Sequence, residues 1–139
     1  MSQAETEPGL AGLVEGVSPR RRILVVDDNL HSAQTLELLL RNERYQVLAL
    51  SNSTKAAELA RQFAPHIALL DLAMPVMDGF ALCSFFRQWP WGKRMHIIAV
   101  TGRDFDEARM KAAGFDAWYL KPLDWPVLKG VLASVPTDN

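Results

Sequence analysis

The 139-residue chain is poor in the features that mark several common classes of protein. It has a single cysteine, Cys83, so no intrachain disulfide is available. No apolar run approaches the roughly 18–20 residues of a membrane span, and no basic segment leads into an apolar stretch as a secretory signal would. Charge of one sign is also missing, because 15 Lys+Arg stand against 16 Asp+Glu for a net charge of −1. Such a balance sets up no global field for nucleic acid or anionic lipid, so neither is expected as a partner and the expected location is the cytoplasm. The length suits one compact domain of ordinary composition and leaves little room for a second. Cys83 lies within Ala81-Leu82-Cys83-Ser84-Phe85-Phe86 with no histidine near it in sequence, and it reads as a small buried hydrophobe rather than a nucleophile.

What is present changes character at residue 20. Residues 1–19 hold Gly9, Gly12, Gly16, Pro8 and Pro19 with several acids, the composition of a flexible leader. Leu10, Leu13, Val14 and Val17 fall on one helical face, but glycines at about 1 kcal/mol each oppose a helix there. From 20 to 135 short continuous apolar runs alternate with longer mixed stretches, before a short tail at 136–139. The runs are Ile23–Val26, Val47–Leu50, Ile67–Leu70, Ile97–Val100 and Ala117–Leu120, each of a length and character that fits a strand buried on both faces. Helical stripes lie between them. Leu30, Ala33, Leu36, Leu39 and Leu40 form the first, closed by Arg41-Asn42; Ala56, Leu59, Ala60 and Phe63 form the second, with Ser53 as its expected N-cap and Pro65 as its stop. Further helices are expected over Phe80–Gln88, Asp104–Ala113 and Trp125–Ser134, the last burying Val127, Leu128, Val131, Leu132 and Val135. This (βα)5 alternation predicts an α/β, doubly wound parallel sheet of the flavodoxin-like order 2-1-3-4-5, since five strands without a GxGxxG after the first fit the six-stranded dinucleotide-binding order less well.

Ligands of such sheets bind outside the carboxyl ends of the strands, at the switch point between the first and third. There the first strand ends in Asp27-Asp28, the third in Asp71, the fourth in Thr101-Gly102 and the fifth in Lys121-Pro122. Crowded carboxylates raise one another's pKa unless a cation neutralises them, and an all-oxygen set without Cys or His suits Mg²⁺. Lys121 and the Thr101 hydroxyl supply the point charge and donor that a phosphoryl group needs. Each of these residues alone fits a blander role, as a helix cap, turn residue or solvated charge. Four strands ending together in apt residues do not. His31, His66 and His96 fall in different elements without metal-ligand spacing, and solvated or capping roles are expected for them.

The segments Ile23–Asn29, Leu69–Gly79, Ile97–Gly102 and Leu120–Leu123 resemble the receiver domain of two-component response regulators, over about residues 21–134. Ala113-Gly114-Phe115-Asp116 and Lys121-Pro122-Leu123-Asp124 resemble especially the receivers of hybrid histidine kinases and single-domain regulators. The resemblance implies that Asp71 is the phosphoacceptor, served by a histidine kinase or histidine phosphotransfer protein. It implies that Asp28, Asp71 and the carbonyl of Ala73 hold Mg²⁺ directly and Asp27 mainly through water, and that Lys121 pairs with Asp71 before phosphorylation and with the phosphoryl oxygens after it. Thr101 would donate its hydroxyl to the phosphate. The Lys121-Pro122 bond would be cis. In the loop after Asp71, Pro75 would fix φ and Gly79 would allow a positive φ. Such a module is a signalling phosphoacceptor rather than an enzyme on other substrates. With no output domain after Asn139, it would act on a downstream protein of unknown identity through about Asp104–Ala133.

Two positions depart from the family's usual pattern. Ala73 carries a methyl where a polar side chain is common, and Trp118 stands where Tyr or Phe usually acts as the switch. Small Ala99 and Ala117 leave room for an inward rotation of Trp118, the expected response to phosphorylation. A phosphatase of the haloacid-dehalogenase type would need an acid at position 73, and a flavodoxin would need a phosphate loop after the first strand, where Asp27-Asp28 repel phosphate. The remaining alternative is a non-phosphorylated pseudo-receiver serving only as an interaction module. The filled acid and lysine positions count against it.

Overall fold

The computed structural model describes residues 21–102 and 105–136. The expected leader at 1–19, residues 137–139 of the tail and Asp104 lie outside the described residues. Five strands alternate with helices: β1 Arg22–Val26, α1 Leu30–Asn42, β2 Gln46–Leu50, α2 Ser53–Phe63, β3 Ile67–Asp71, α3 Gly79–Arg87, α4 Pro90–Lys93, β4 His96–Thr101, α5 Glu107–Ala113, β5 Ala117–Leu120 and α6 Trp125–Ser134. The strands form one parallel sheet in the order β2-β1-β3-β4-β5, the flavodoxin-like arrangement expected from the alternation.

The apolar runs became strands because a parallel sheet with helices on both faces buries every side chain along them. Ile23, Leu24, Val25 and Val26 are all fully buried, and they divide by the two-residue period of a strand. Leu24, Val26, Leu70, Ile97 and Ala99 pack with Leu82, Phe86 and Met110 from α3 and α5. Ile23, Val25, Leu69 and Ile98 pack on the opposite face with Ala33 and Leu40 of α1 and Leu128 and Leu132 of α6. At roughly 1.5–3 kcal/mol for each large side chain taken from water, this double burial is the main force holding the layers together.

The register then sets the site. Val26 lies beside Leu70, Asp71 beside Val100, and Thr101 beside Leu120. Asp27, one residue beyond β1, is therefore abreast of Asp71, and Lys121 follows directly on β5.

Several local expectations change. Asn52, not Ser53, caps α2: its side chain accepts from the Lys55 N–H at 3.0 Å, while Ser53 is buried in the first turn. Asn29 caps α1 by accepting from the Ser32 N–H. Leu30 and Val127 are exposed rather than part of the buried faces, since each lies in the first turn of its helix, beyond the reach of the sheet. α5 begins at Glu107 because Asp106 caps it, accepting from the Ala108 N–H at 3.1 Å. The short α4 was not expected; Pro90 opens it, and Gly92 packs so close to Phe86 that a β-carbon would lie 1.8 Å from the Phe86 carbonyl oxygen. The Lys121-Pro122 bond is cis.

Candidate functional site

The capping asparagines explain what the acids after β1 are free to do. Asn29 satisfies the start of α1, so neither Asp27 nor Asp28 is needed as its cap. Asp27 is buried with both carboxylate oxygens engaged, Oδ1 accepting from the Asn29 N–H at 2.9 Å and Oδ2 from Lys121 Nζ at 3.1 Å. Asp28 is exposed and has no side-chain partner among the described residues. Asp71, 7% exposed at the end of β3, accepts a long 3.4 Å bond from the Ala73 N–H and lies 3.7 Å from Lys121 Nζ. One oxygen from each of Asp27, Asp28 and Asp71 falls within 4.8 Å of the others. The three acids named from the sequence do come together.

Burial is the main reason that the Asp71 carboxyl rises to a pKa of about 6, with the nearby charge of Asp27 adding to the rise and Lys121 opposing it. The expected Lys121–Asp71 pair is shared, since the ammonium is nearer Asp27. One cation among three carboxylates leaves negative charge over, which favours a further cation. Oxygen donors alone, with no sulfur or imidazole in the cluster, match Mg²⁺ chemistry. Thr101 is buried at the end of β4, and its carbonyl accepts from the Lys121 N–H at 2.7 Å, joining the two strand ends.

The loop after Asp71 is shaped differently from the expectation. Gly79 does not have positive φ; it is required because a β-carbon there would lie 2.3 Å from the Asp71 carbonyl oxygen and 2.8 Å from Leu72 Cα. The positive φ belongs to Val76, at 69°, in a three-residue turn closed by the Met77 N–H donating to the Pro75 carbonyl at 2.7 Å. A β-branched residue there is an outlier, and nothing in its residue type announced it.

Two hollows flank the acids. One, of about 660 Å³, reaches from Asp27, Asp71 and Lys121 down between α1 and α6 past Leu36 and Leu123. The other, of about 480 Å³, is lined by Asp28, Ala73, Asp78 and Arg109. Arg109 went unnoticed in the sequence; its guanidinium stacks 4.0 Å from the Phe80 ring centroid, and the spacing of 29 residues gives no local signal for that contact. Trp118 is half-buried against the α2–α3–α5 core and lies beside Ala99. Cys83 is fully buried, as expected of a small hydrophobe, and burial raises its thiol to a pKa of about 11.

A doubly wound five-stranded sheet with acids directly after β1 and at the end of β3, a threonine on β4 and a lysine after β5 is the layout of a receiver domain. The response regulator receiver domain family model matches residues 23–132, and the chain belongs to that family, whose members are signalling modules of two-component systems. It is 36% identical over 104 residues to an uncharacterised 14.6 kDa protein of Leptolyngbya boryana, covering 73% of this chain and 79% of that one. It is 33% identical over 105 residues to the response regulator PleD of Caulobacter vibrioides, covering 74% of this chain but only 23% of PleD. Among solved structures, the receiver domain of the sensor histidine kinase PA1611 of Pseudomonas aeruginosa, with a magnesium ion coordinated in its active-site cleft, is similar at a TM-score of 0.73 and 28% identity, over 81% of this chain and 93% of that one. No helix among the described residues is long and apolar enough to cross a membrane.

Proposed function

We propose that Asp71 takes a phosphoryl group from the phosphohistidine of a histidine kinase or histidine phosphotransfer protein. The observation that carries this reading is the placement of the Asp71 carboxylate at a strand end, among two further acids and within 3.7 Å of Lys121 Nζ. With a pKa of about 6, Asp71 is mostly ionised at neutral pH and is a competent nucleophile. One of its oxygens attacks phosphorus in line, the P–N bond breaks, and the electron pair leaves with the imidazole. Asp71 then carries an acyl phosphate.

The other residues position charge around that exchange. Lys121 is already shared between two carboxylates, and its ammonium turns to the phosphoryl oxygens as they arrive. Thr101 offers a hydroxyl donor at the same strand level. Asp28, Asp71 and the Ala73 carbonyl would hold Mg²⁺ directly and Asp27 mainly through water; when bound, the ion neutralises charge on the phosphoryl oxygens. The magnesium in the similar PA1611 domain supports this assignment. Downstream contact through α5, β5 and α6 is supported by the exposure of Leu120 and Val127 on that side.

The test is intact mass after incubation with Mg²⁺ and phosphoramidate or acetyl phosphate, with beryllofluoride binding measured in parallel. A gain of one phosphoryl group that is lost in Asp71→Asn is the expected result. No gain together with no beryllofluoride binding would make the chain a pseudo-receiver, an interaction module without phosphorylation.

A further inference from the structure

The amino ends of the strands gather charge of the opposite sign. Arg21 and Arg22 at the start of β1, His66 before β3, Lys93 and Arg94 after α4, and His96 at the start of β4 all line one hollow of about 530 Å³. These side chains are widely separated in sequence and are brought together by the sheet, in which β3 lies between β1 and β4. The base of the hollow is rigid. The His66 N–H donates to the Arg22 carbonyl at 2.9 Å, the Arg22 N–H donates back to His66 Nδ1 at 3.0 Å, and the His96 N–H donates to the His66 carbonyl at 2.9 Å.

A solvated surface ordinarily mixes charges of both signs. Here the one acid lining the hollow among the described residues, Asp116, is already committed: its Oδ2 accepts from Arg87 at 2.8 Å and from the Ile97 N–H at 2.8 Å. Arg21 and Arg22 use some of their donors on the carbonyls of Val135 and Ala64, which holds their guanidinium groups in place and leaves other N–H groups available. Lys93 and Arg94 are exposed and have no side-chain partner among the described residues. Trp91 adds an apolar wall, and its indole N–H is buried without a partner among the described residues. Burial, then Arg22 and Arg21, lower the pKa of His66, so its ring senses the same positive surroundings.

We propose that this hollow binds a small ligand carrying two or more linked phosphate groups, nucleotide-sized or smaller. The volume lies within the roughly 300–1,000 Å³ of small-molecule sites. Guanidinium forks held by backbone carbonyls suit bidentate recognition of phosphate. More than one phosphate is required to match four permanent cations. The site is at the opposite pole from Asp71 and does not depend on phosphorylation.

The experiment titrates the full chain with pyrophosphate, tripolyphosphate and ATP in EDTA at low salt, by calorimetry and by the ring-proton NMR signals of the three histidines. The expected result is saturable binding that moves His66 and His96 but not His31, weakens with added salt, and falls at least tenfold in Lys93→Glu/Arg94→Glu. That double variant changes exposed side chains, so its thermal midpoint and its beryllofluoride binding at Asp71 should match the wild type. Any of three results would overturn the proposal: no saturation by millimolar probe, undiminished binding in the double variant, or binding of single-stranded RNA or an acidic peptide with none of the small polyphosphates.

Discussion

The two poles of the sheet treat charge in opposite ways. At the carboxyl pole, Asp27 and Asp71 are buried with Asp28 beside them and one lysine to share, and Asp71 is held near a pKa of 6. At the amino pole, Arg87 is fully partnered. Arg87 donates to the carbonyls of Gly92, Met95 and Gly114 at 2.7–3.0 Å and pairs with Asp116 at 2.8 Å. The carboxyl pole keeps unresolved repulsion beside the proposed chemistry; at the amino pole the Arg87 network ties α3, α4, β4 and β5 together, while Lys93 and Arg94 at the rim of the hollow stay without partners among the described residues. The contrast teaches that fully partnered charge marks the scaffold here, and poorly compensated charge marks the place where a ligand or reaction is expected.

The largest effect should come from breaking the partnered Arg87 network. Arg87→Ala leaves several carbonyls and the Asp116 carboxylate without their donor, and it removes the chain that packs against Gly114, whose φ of 104° closes α5. Loss of this partly buried charged network costs about 2–3 kcal/mol. Urea denaturation should show that loss, with Arg87→Lys rescuing only part of it because an ammonium cannot span so many acceptors. A loss under 1 kcal/mol would show that the network is not structural.

Relieving the other pole should have the opposite sign. Asp71 has a folded pKa raised from 3.8 to about 6, so between those values the folded state holds a proton that the unfolded state has released. Its contribution therefore weakens folding as pH rises through that window and is fully unfavourable above it. Without divalent metal, Asp71→Asn should be more stable than wild type by about 1–2 kcal/mol at pH 7.5, a figure reduced for screening on the side open to the hollow. The difference should shrink toward zero near pH 4. Thermal melts in EDTA across that range check it. Mg²⁺ should then stabilise the wild type more than the variant, by linkage.

How far these poles were legible in the sequence follows from what is local. The strands were legible because each is a continuous apolar run, and the acids, Thr101 and Lys121 because each follows its run directly. The family resemblance supplied only expected roles, and the register brought the acids together. The amino-pole cluster was not legible: His66 and His96 are 30 positions apart and meet only because β3 pairs with β4, with Ile67 beside His96. The cap of α2 was misread by one residue where Asn52 and Ser53 adjoin, since both types suit the position. Gly79 was read as a conformational need, but it is a steric one, visible only once α3 starts against the Asp71 carbonyl.

The smallest effect concerns backbone strain at the carboxyl pole. Positive φ occurs on both sides of the molecule, but in different settings. Ala64, at φ 55° and ψ 60°, closes α2 in an ordinary left-handed cap, its N–H donating to the Ala60 carbonyl at 2.8 Å. Val76 is β-branched, 94% exposed, and held at φ 69° between Pro75 and Met77 with no packing to offset the strain. Such a residue costs on the order of 1–3 kcal/mol, against about 0.5–1 kcal/mol for the added chain entropy of a glycine. Val76→Gly should therefore stabilise the protein by about 1 kcal/mol, and by more than Ala64→Gly, with Val76→Ala in between. Urea midpoints for the three variants provide the ranking. If Val76→Gly is no more stable than wild type, the turn holds no strain, and the difference between the poles reduces to charge alone.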